Sequence, residues 1–236
     1  SCYVHAFMQL FLRTPGVVEW VRWHGSRPCA WREARKEREC VGCNLSRTLE
    51  QMAQSRGVKC GSQAPLAANR RYIHDTFGNA EQWDSQEFAH QLLDRACLQE
   101  QLAGREVAWN QGLMDGVCRA THLDRIFSFV VEERRRCTVC GNCRASVQKE
   151  QSFHVDAVGA GGSSPFTVSE MILKELSVRR QDLDNMSHCD RCLVNRVHEF
   201  QRQLVHVPNA LLLCVKRLHE DPAEAAHGVL ARHKLV

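Results

Sequence analysis

The patterning of the chain predicts an α+β fold, and three observations carry that prediction. Helical periodicity dominates the first half, alternating apolar residues dominate the second, and no segment repeats, so helices and strands are segregated along the chain. With 236 residues, 44% of them hydrophobic and 25% charged, the chain is long enough to bury a core as one large domain or two small ones.

The first element is the stretch "SCYVHAFMQLFLRTP". Ser1 can cap it, Pro15 ends the run, and Tyr3, Phe7, Leu10 and Phe11 recur at helical spacing, which predicts a buried-face helix of about three turns. Cys2 falls in its first turn. Unpaired N–H groups and the helix dipole there favour an anion, which lowers a thiol's pKa and makes it a better nucleophile. The same N–H groups could stabilise a developing oxyanion. A single cysteine is more often an inert core residue, so these residues alone leave both roles open for Cys2.

"VVEWVRWHGSRPCAWREARKEREC" is mixed in character, "CVGCNLSRTLEQMAQSRG" predicts a helix ending at Gly57, and "SQAPLAANRRYIHDTFGNAEQ" a loop with short helical turns. "WDSQEFAHQLLDRACLQEQLAG" carries the clearest helical pattern. Asp84 can cap it and Glu87 can reach back; Phe88, Leu92, Leu93 and Ala96 form its inner face, and Gly104 lies just past its end. "LDRIFSFVVEERRRC" and "ASVQKEQSFHVDAV" then read as strands, with Phe127, Phe129 and Val131 alternating. "GAGGSSP" is a break, "FTVSEMILKELSVRRQ" a helix, "HEFQRQLVHVP" a strand, and "NALLLCVKRLH" a strand apolar enough for a sheet interior.

Composition narrows the function classes. No apolar run approaches the ~20 residues of a membrane span, and the start of the sequence has no export signal. The net charge of +4 is mild, and the arginine clusters at Arg70-Arg71, Arg134–Arg136 and Arg179-Arg180 have no interleaved aromatic platform. They read as solvated surface, and a zinc-ribbon nucleic-acid module is disfavoured. Thirteen cysteines, several in C-x-x-C pairs, point to reduced thiols and metal binding in an intracellular protein.

Cys137 and Cys140 form one knuckle, Cys189 and Cys192 another; two such knuckles can close a tetrahedral structural zinc site. Cys143 allows "CGNC" to replace "CTVC" as the first knuckle. Cys40 and Cys43 have possible companions in Cys29 and Cys60 but no clean second knuckle, and whether they bind metal stays open at this level. Cys97, Cys118 and Cys214 read as core residues.

Taken in order, these segments resemble the ubiquitin-specific proteases. "SCYVHAFMQLFLRTP" is similar to the family's cysteine box, in which Asn-Thr/Ser-Cys-Tyr/Phe opens a helix carrying a Gln seven residues on, here Gln9. "QWDSQEFAHQLLD" resembles the Gln-Gln-Asp-Ala-Gln-Glu-Phe box, with Trp83 in place of the second Gln. "IFSFVVEERRRCTVC" is similar to the Leu-Phe-x-Gly segment leading into the first knuckle, which favours Cys137 and Cys140. "HCDRCLVNRVHEFQRQLVHVPNALLLCVKRL" resembles the second knuckle, the strand ending Leu-Pro, and the Leu-x-Leu-x-Leu-Lys-Arg-Phe strand.

The resemblance implies a papain-like cysteine protease with a helical thumb over residues 1–125, zinc-bearing β fingers over 126–207, and the start of a palm, incomplete here, over 208–236. It implies that Cys2 is the nucleophile attacking the C-terminal glycine carbonyl of ubiquitin in ubiquitinated proteins. Gln82, Asp84 and Glu87 would line the channel for ubiquitin's Arg-rich tail, where carboxylates can pair with guanidinium groups. Cys137, Cys140, Cys189 and Cys192 would hold structural Zn2+. A cytoplasmic or nuclear setting is expected, with no nucleic-acid or membrane partner.

The family's oxyanion-hole Asn would precede Ser1, and its Gly-His-Tyr segment and Asp/Asn would follow Val236, so a fragment is expected. None of the twelve histidines, His219, His227 and His233 included, lies in a Gly-His-Tyr context. His5 and Phe129 stand where the family usually has Asn and Gly. The rival expectation is a zinc-containing ubiquitin-binding adaptor without catalysis.

Overall fold

The computed structural model describes residues 2–54, 65–79, 83–104, 107–109, 118–156, 167–216, 218–220 and 232–234. The chain divides into two compact units, Ser1–Phe127 and Ser128–Val236, the first mostly helical and the second mostly strand.

In the helical unit, α1 (Cys2–Phe11) buries Tyr3, Val4, Phe7, Met8 and Phe11. Leu10, expected on that face, is 73% exposed; at 100° per residue it falls about 20° beyond Tyr3, at the outer edge of the stripe made by 3, 4, 7, 8 and 11. Ser1, the expected cap, lies outside the described residues. Pro15 does more than end the first run: it is the first residue of α2 (Pro15–Gly25), where a missing N–H costs nothing. The inner face of α2 is Val17, Trp20, Val21 and His24. A single turn, α3 (Ala30–Glu33), leads to α4 (Val41–Gln54), and α5 (Pro65–Ala68) is followed by 3-10 turns at Arg70–Tyr72 and Asp75–Gly78. Gly57 lies outside the described residues.

The helix α6 (Ser85–Leu102) is the spine of this unit. Asp84 caps it, accepting the Gln86 N–H at 2.7 Å. Glu87 does not reach back as expected; it accepts from Gln91 Nε2 at 3.1 Å along the helix surface. Gly104, with φ +64°, closes the C-terminal end, its N–H donating to Gln101 O at 2.9 Å. Phe88, Leu92, Leu93 and Ala96 are buried, each large side chain worth about 1.5–3 kcal/mol when fully buried. The Glu100 carboxylate, 3% exposed, takes the Trp20 indole N–H at 2.7 Å and the His122 backbone N–H at 2.8 Å.

A short pair, β1 (Val107–Trp109) with β2 (Cys118–Ala120), precedes α7 (His122–Phe127). This last helix corrects the reading of a strand starting at Leu123. Thr121 Oγ1 accepts the Asp124 N–H at 3.1 Å and Asp124 Oδ2 accepts the Thr121 N–H at 3.0 Å. That reciprocal pair nucleates a helix despite the apolar alternation that follows.

The second unit runs β3 (Phe129–Cys137), β4 (Cys143–Glu150), β5 (Phe153–Asp156), α8 (Val168–Leu176), β6 (Arg179–Arg180), β7 (Ser187–Cys189), β8 (Val194–Arg196), β9 (His198–His206), β10 (Leu213–Lys216), β11 (Leu218–Glu220) and β12 (Arg232–Lys234). Its main sheet is antiparallel in the order β4-β3-β9-β6; β5 pairs with β10 in parallel, and β7-β8 and β11-β12 are antiparallel pairs. The expected interior strand around Leu212 is thus four residues long and has β5 as its neighbour. The "GAGGSSP" stretch lies outside the described residues. Phe129, Val131, Phe153 and Val155 form the core, covered by Met171, Ile172 and Leu176 of α8 and by Leu204, Leu213 and Val215. A bulge between Val130 and Val131 re-registers β3 against β9, so Phe129, Val130 and Val131 are all buried. Arg71, Arg134, Arg136, Arg179 and Arg180 are exposed, as solvated surface should be, whereas Arg70 and Arg135 are half-buried, Arg70 donating to Ala67 O at 3.0 Å and Arg135 lying 5.7 Å from the Phe200 ring centre.

Candidate functional site

Cys2 is the first residue of α1; its side chain lies outside the described residues. The chain around it is held by aromatic packing. The next residue, Tyr3, is 4% exposed, with its ring 5.7 Å from Phe88 and 6.0 Å from Phe77. Phe7, one turn further on, is 5.9 Å from Phe88. Phe77 in turn lies 5.2 Å from Phe88 and 6.1 Å from Trp83, whose indole N–H donates to Asn79 Oδ1 at 3.0 Å. One aromatic cluster therefore fixes the N-terminal turn of α1 beside the N-terminal turn of α6.

The structure thus brings Cys2, Asp84 and Glu87 to the starts of two packed helices. Both carboxylates are exposed. Asp84 spends Oδ1 on its cap, and Glu87 takes the Gln91 amide, so each has a structural partner already. Gln82 lies outside the described residues, as do the side chains of His219, His227 and His233. Cys97 and Cys214 are buried, as core residues should be; the Cys118 side chain is outside the described set.

In the second unit, Cys137, Cys140, Cys189 and Cys192 converge, with all four sulfurs within 4.8 Å of one another. Cys140 and Cys189 Sγ are 3.5 Å apart, and Cys137 and Cys192 Sγ 4.0 Å. Each knuckle is a tight turn. Gly141 donates to Cys137 O at 3.0 Å with φ +70°, and Leu193 donates to Cys189 O at 2.7 Å with φ +58°. Glycine adopts that conformation freely, whereas in leucine it costs about 1–2 kcal/mol, so the second turn is held by its surroundings.

Backbone N–H groups of Cys192 and Arg191 pull the Cys189 thiol down to about 6, and those of Cys140 and Val139 hold Cys137 below its ordinary value. Cys192, hydrogen-bonded to Cys140, is pushed up to about 12. Backbone N–H groups therefore favour the thiolate form at Cys189 and Cys137, the form a metal needs. The set fits a tetrahedral, thiolate-loving ion; with four protein ligands it would be closed and structural. Cys143 is exposed on β4 and outside this group, which settles the first knuckle as "CTVC".

Sequence reading missed one participant. His24 joins Cys29, Cys40 and Cys43 in a second buried group whose ligand atoms lie within 4.8 Å of one another. Its signal was there: His24 sits one turn after Trp20, on the inner stripe of α2. Cys60, the other companion considered, lies outside the described residues.

Comparison with known proteins gives the chain its relatives. Residues 1–229 match the family model described as ubiquitin carboxyl-terminal hydrolase. No curated protein matches the chain. Among solved structures, a chain of the SAGA Ubp8/Sgf11/Sus1/Sgf73 DUB module bound to ubiquitin aldehyde superposes with a TM-score of 0.71 at 16% identity, covering 99% of this chain and 48% of that one. A mutant form of the module bound to monoubiquitin gives 0.68 at 16%, covering 92% and 46%. The yeast SAGA DUBm with an Sgf73 mutant gives 0.68 at 15%, covering 99% and 48%. The chain spans about half the length of the solved chains it matches, and it shares their mixed helix-and-sheet fold. No helix among the described residues is long and apolar enough to cross a membrane.

Proposed function

Since this chain belongs to the ubiquitin carboxyl-terminal hydrolase family, we propose that it is the nucleophile-bearing and zinc-bearing part of a cysteine-type deubiquitinase. Residues 1–125 act as the thumb, 126–207 as the fingers and 208–236 as the start of the palm. The observation that carries the reading is the place of Cys2, first in a helix that shares its aromatic packing with the start of α6.

In this reading the Cys2 thiolate, favoured by the free N–H groups of the first turn, attacks the carbonyl carbon of ubiquitin's C-terminal glycine. An S–C bond forms, the isopeptide or peptide C–N bond breaks, and the leaving amine takes the proton that a histidine base had accepted from the Cys2 thiol. Water then hydrolyses the thioester, releasing ubiquitin's carboxylate and the free thiol. N–H groups at the start of α1 would stabilise the oxyanion. Gln82, Asp84 and Glu87 line the tail channel, the two carboxylates pairing with arginines. Cys137, Cys140, Cys189 and Cys192 hold a structural zinc ion that fixes the ends of β3 and the β7-β8 hairpin. Ubiquitin and its conjugates are the partners, and the setting is cytoplasmic or nuclear.

The test is a ubiquitin whose C-terminus carries a thiol-reactive electrophile. Covalent labelling of the full-length protein at Cys2 is expected. Tight ubiquitin binding without any labelling would favour the second reading, a zinc-containing adaptor. None of the twelve histidines of these 236 residues lies in a Gly-His-Tyr context, so residues 1–236 alone are expected to hydrolyse conjugates poorly, because general-base help is worth ~10²–10⁴-fold.

Asp84→Ala separates the tail channel from the helix cap. Loss of the cap should cost about 1 kcal/mol of stability. A tail contact should add a loss of ubiquitin affinity of at least about tenfold, roughly 1.4 kcal/mol. Denaturant titration and ubiquitin binding, measured on the same variant, tell the two apart. A change in stability with unchanged affinity leaves Asp84 as a cap alone.

A further inference from the structure

We propose that His24, Cys29, Cys40 and Cys43 form a second zinc site, of Cys3His type, buried in the helical unit and structural in role. All four side chains are buried, at 6%, 2%, 1% and 0% exposure. His24 Nε2 lies 3.4 Å from Cys40 Sγ and 3.5 Å from Cys43 Sγ, and Cys29 Sγ is 3.7 Å from Cys40 Sγ. Zinc sits ~2.3 Å from thiolate sulfur and ~2.0 Å from imidazole nitrogen. Tetrahedral angles then put neighbouring ligand atoms roughly 3.5–3.8 Å apart. Two of the observed spacings fall in that window and the third, His24 to Cys40 at 3.4 Å, lies at its lower edge.

The surroundings are built for the same purpose. Cys29 precedes α3, Cys40 precedes α4 and Cys43 lies in the first turn of α4, so "CVGC" is a knuckle opening a helix. Its glycine is needed for space: a Cβ at Gly42 would stand 2.6 Å from the His24 ring. Gln99 of α6 sets the knuckle, accepting the Val41 N–H at 2.9 Å and donating to Glu39 O at 2.7 Å. The Arg32 guanidinium is 3.9 Å from Cys43 Sγ, where it can offset the surplus negative charge of three thiolates.

Among the described residues from Ser26 to Cys40, the buried apolar side chains are Cys29 and Cys40 themselves, with Trp31 packed partly against them. A segment of that length with so little core needs another tie, and an ion bridging His24, Cys29 and α4 supplies it. Three thiolates and an imidazole select a soft or borderline ion such as zinc, and four protein ligands leave no open position for substrate.

Metal analysis of the purified chain tests the proposal, and its readout is independent of whether the chain acts on ubiquitin. About two zinc ions per chain are expected, one for each group of four ligands. His24→Ala should lower the content to about one. Gly42→Ala, which removes no ligand, should weaken retention of one of the two ions against a chelator by at least about tenfold. In the cobalt(II)-substituted chain, His24→Ala should change the tetrahedral absorption bands of one site and leave those of the other. A native content of one zinc, a Cys29–Cys40 disulfide in the isolated protein, or an unchanged content and retention in both variants would each overturn it.

Discussion

Cys2→Ser in the full-length protein should lower the hydrolysis of ubiquitin conjugates by roughly 10⁶-fold, the loss seen when a triad enzyme is deprived of its nucleophile. A serine hydroxyl at the same place would not ionise in the helix field as a thiol does. Affinity for ubiquitin should change little, because the substitution removes one sulfur from the start of α1 and leaves the Tyr3, Phe77 and Phe88 packing beneath it intact. Labelling by the electrophilic ubiquitin should vanish with the activity. Cys143→Ser is the control, since that thiol is exposed on β4 and should contribute nothing to labelling. Labelling that persists in Cys2→Ser would place the nucleophile elsewhere.

Cys189→Ser should be the most damaging substitution for the second unit. Structural zinc in small domains contributes an apparent ~10–16 kcal/mol at neutral pH, comparable with the whole stability of a domain. Cys189 is buried, its sulfur 3.5 Å from that of Cys140, and its loss would open a closed site. If only about 3 kcal/mol of that contribution reaches global stability, the thermal midpoint should still fall by roughly 10–20 °C. A chelator should reproduce the fall in the native chain, and added zinc should reverse it. A midpoint indifferent to both would mean that the four thiols are only buried side chains.

The local signals explain which parts of this fold can be read from sequence. Asp84 sits before an apolar-periodic run, and its cap needs only residues two positions away, so the cap and the start of α6 were legible. The two C-x-x-C knuckles were legible for the same reason, because each turn closes on itself. The apolar run after Leu123 misled, since the deciding contact is the Thr121–Asp124 reciprocal pair and not the periodicity. Leu10 misled because a helix of three turns offers several apolar stripes and only packing selects one. His24 could not be joined to its thiols by spacing at all. Its partners lie 16 and 19 residues away, just before and within the first turn of another helix, and the glycine that admits its ring belongs to that helix too. The tail-channel roles proposed for Gln82, Asp84 and Glu87 rest on resemblance alone, since a helix start explains the two carboxylates equally well.

The two cysteine groups also differ in how far along the chain they reach. His24 and Cys43 are 19 residues apart, whereas Cys137 and Cys192 are separated by 55. For flexible loops the closure entropy grows with the logarithm of length, so the longer reach costs about 1 kcal/mol more before any ligand contact is made. The second knuckle also rides on β7 and β8, strands of three residues each, and a hairpin that short is marginal by itself. During folding the helical group can therefore assemble early, from near neighbours. The four-cysteine group has to wait until β3 and β9 have drawn the distant knuckle in. Until then the β7-β8 hairpin has only its own three-residue pairing to hold it, and stripping the proposed ions should open it to limited proteolysis before the helices around His24.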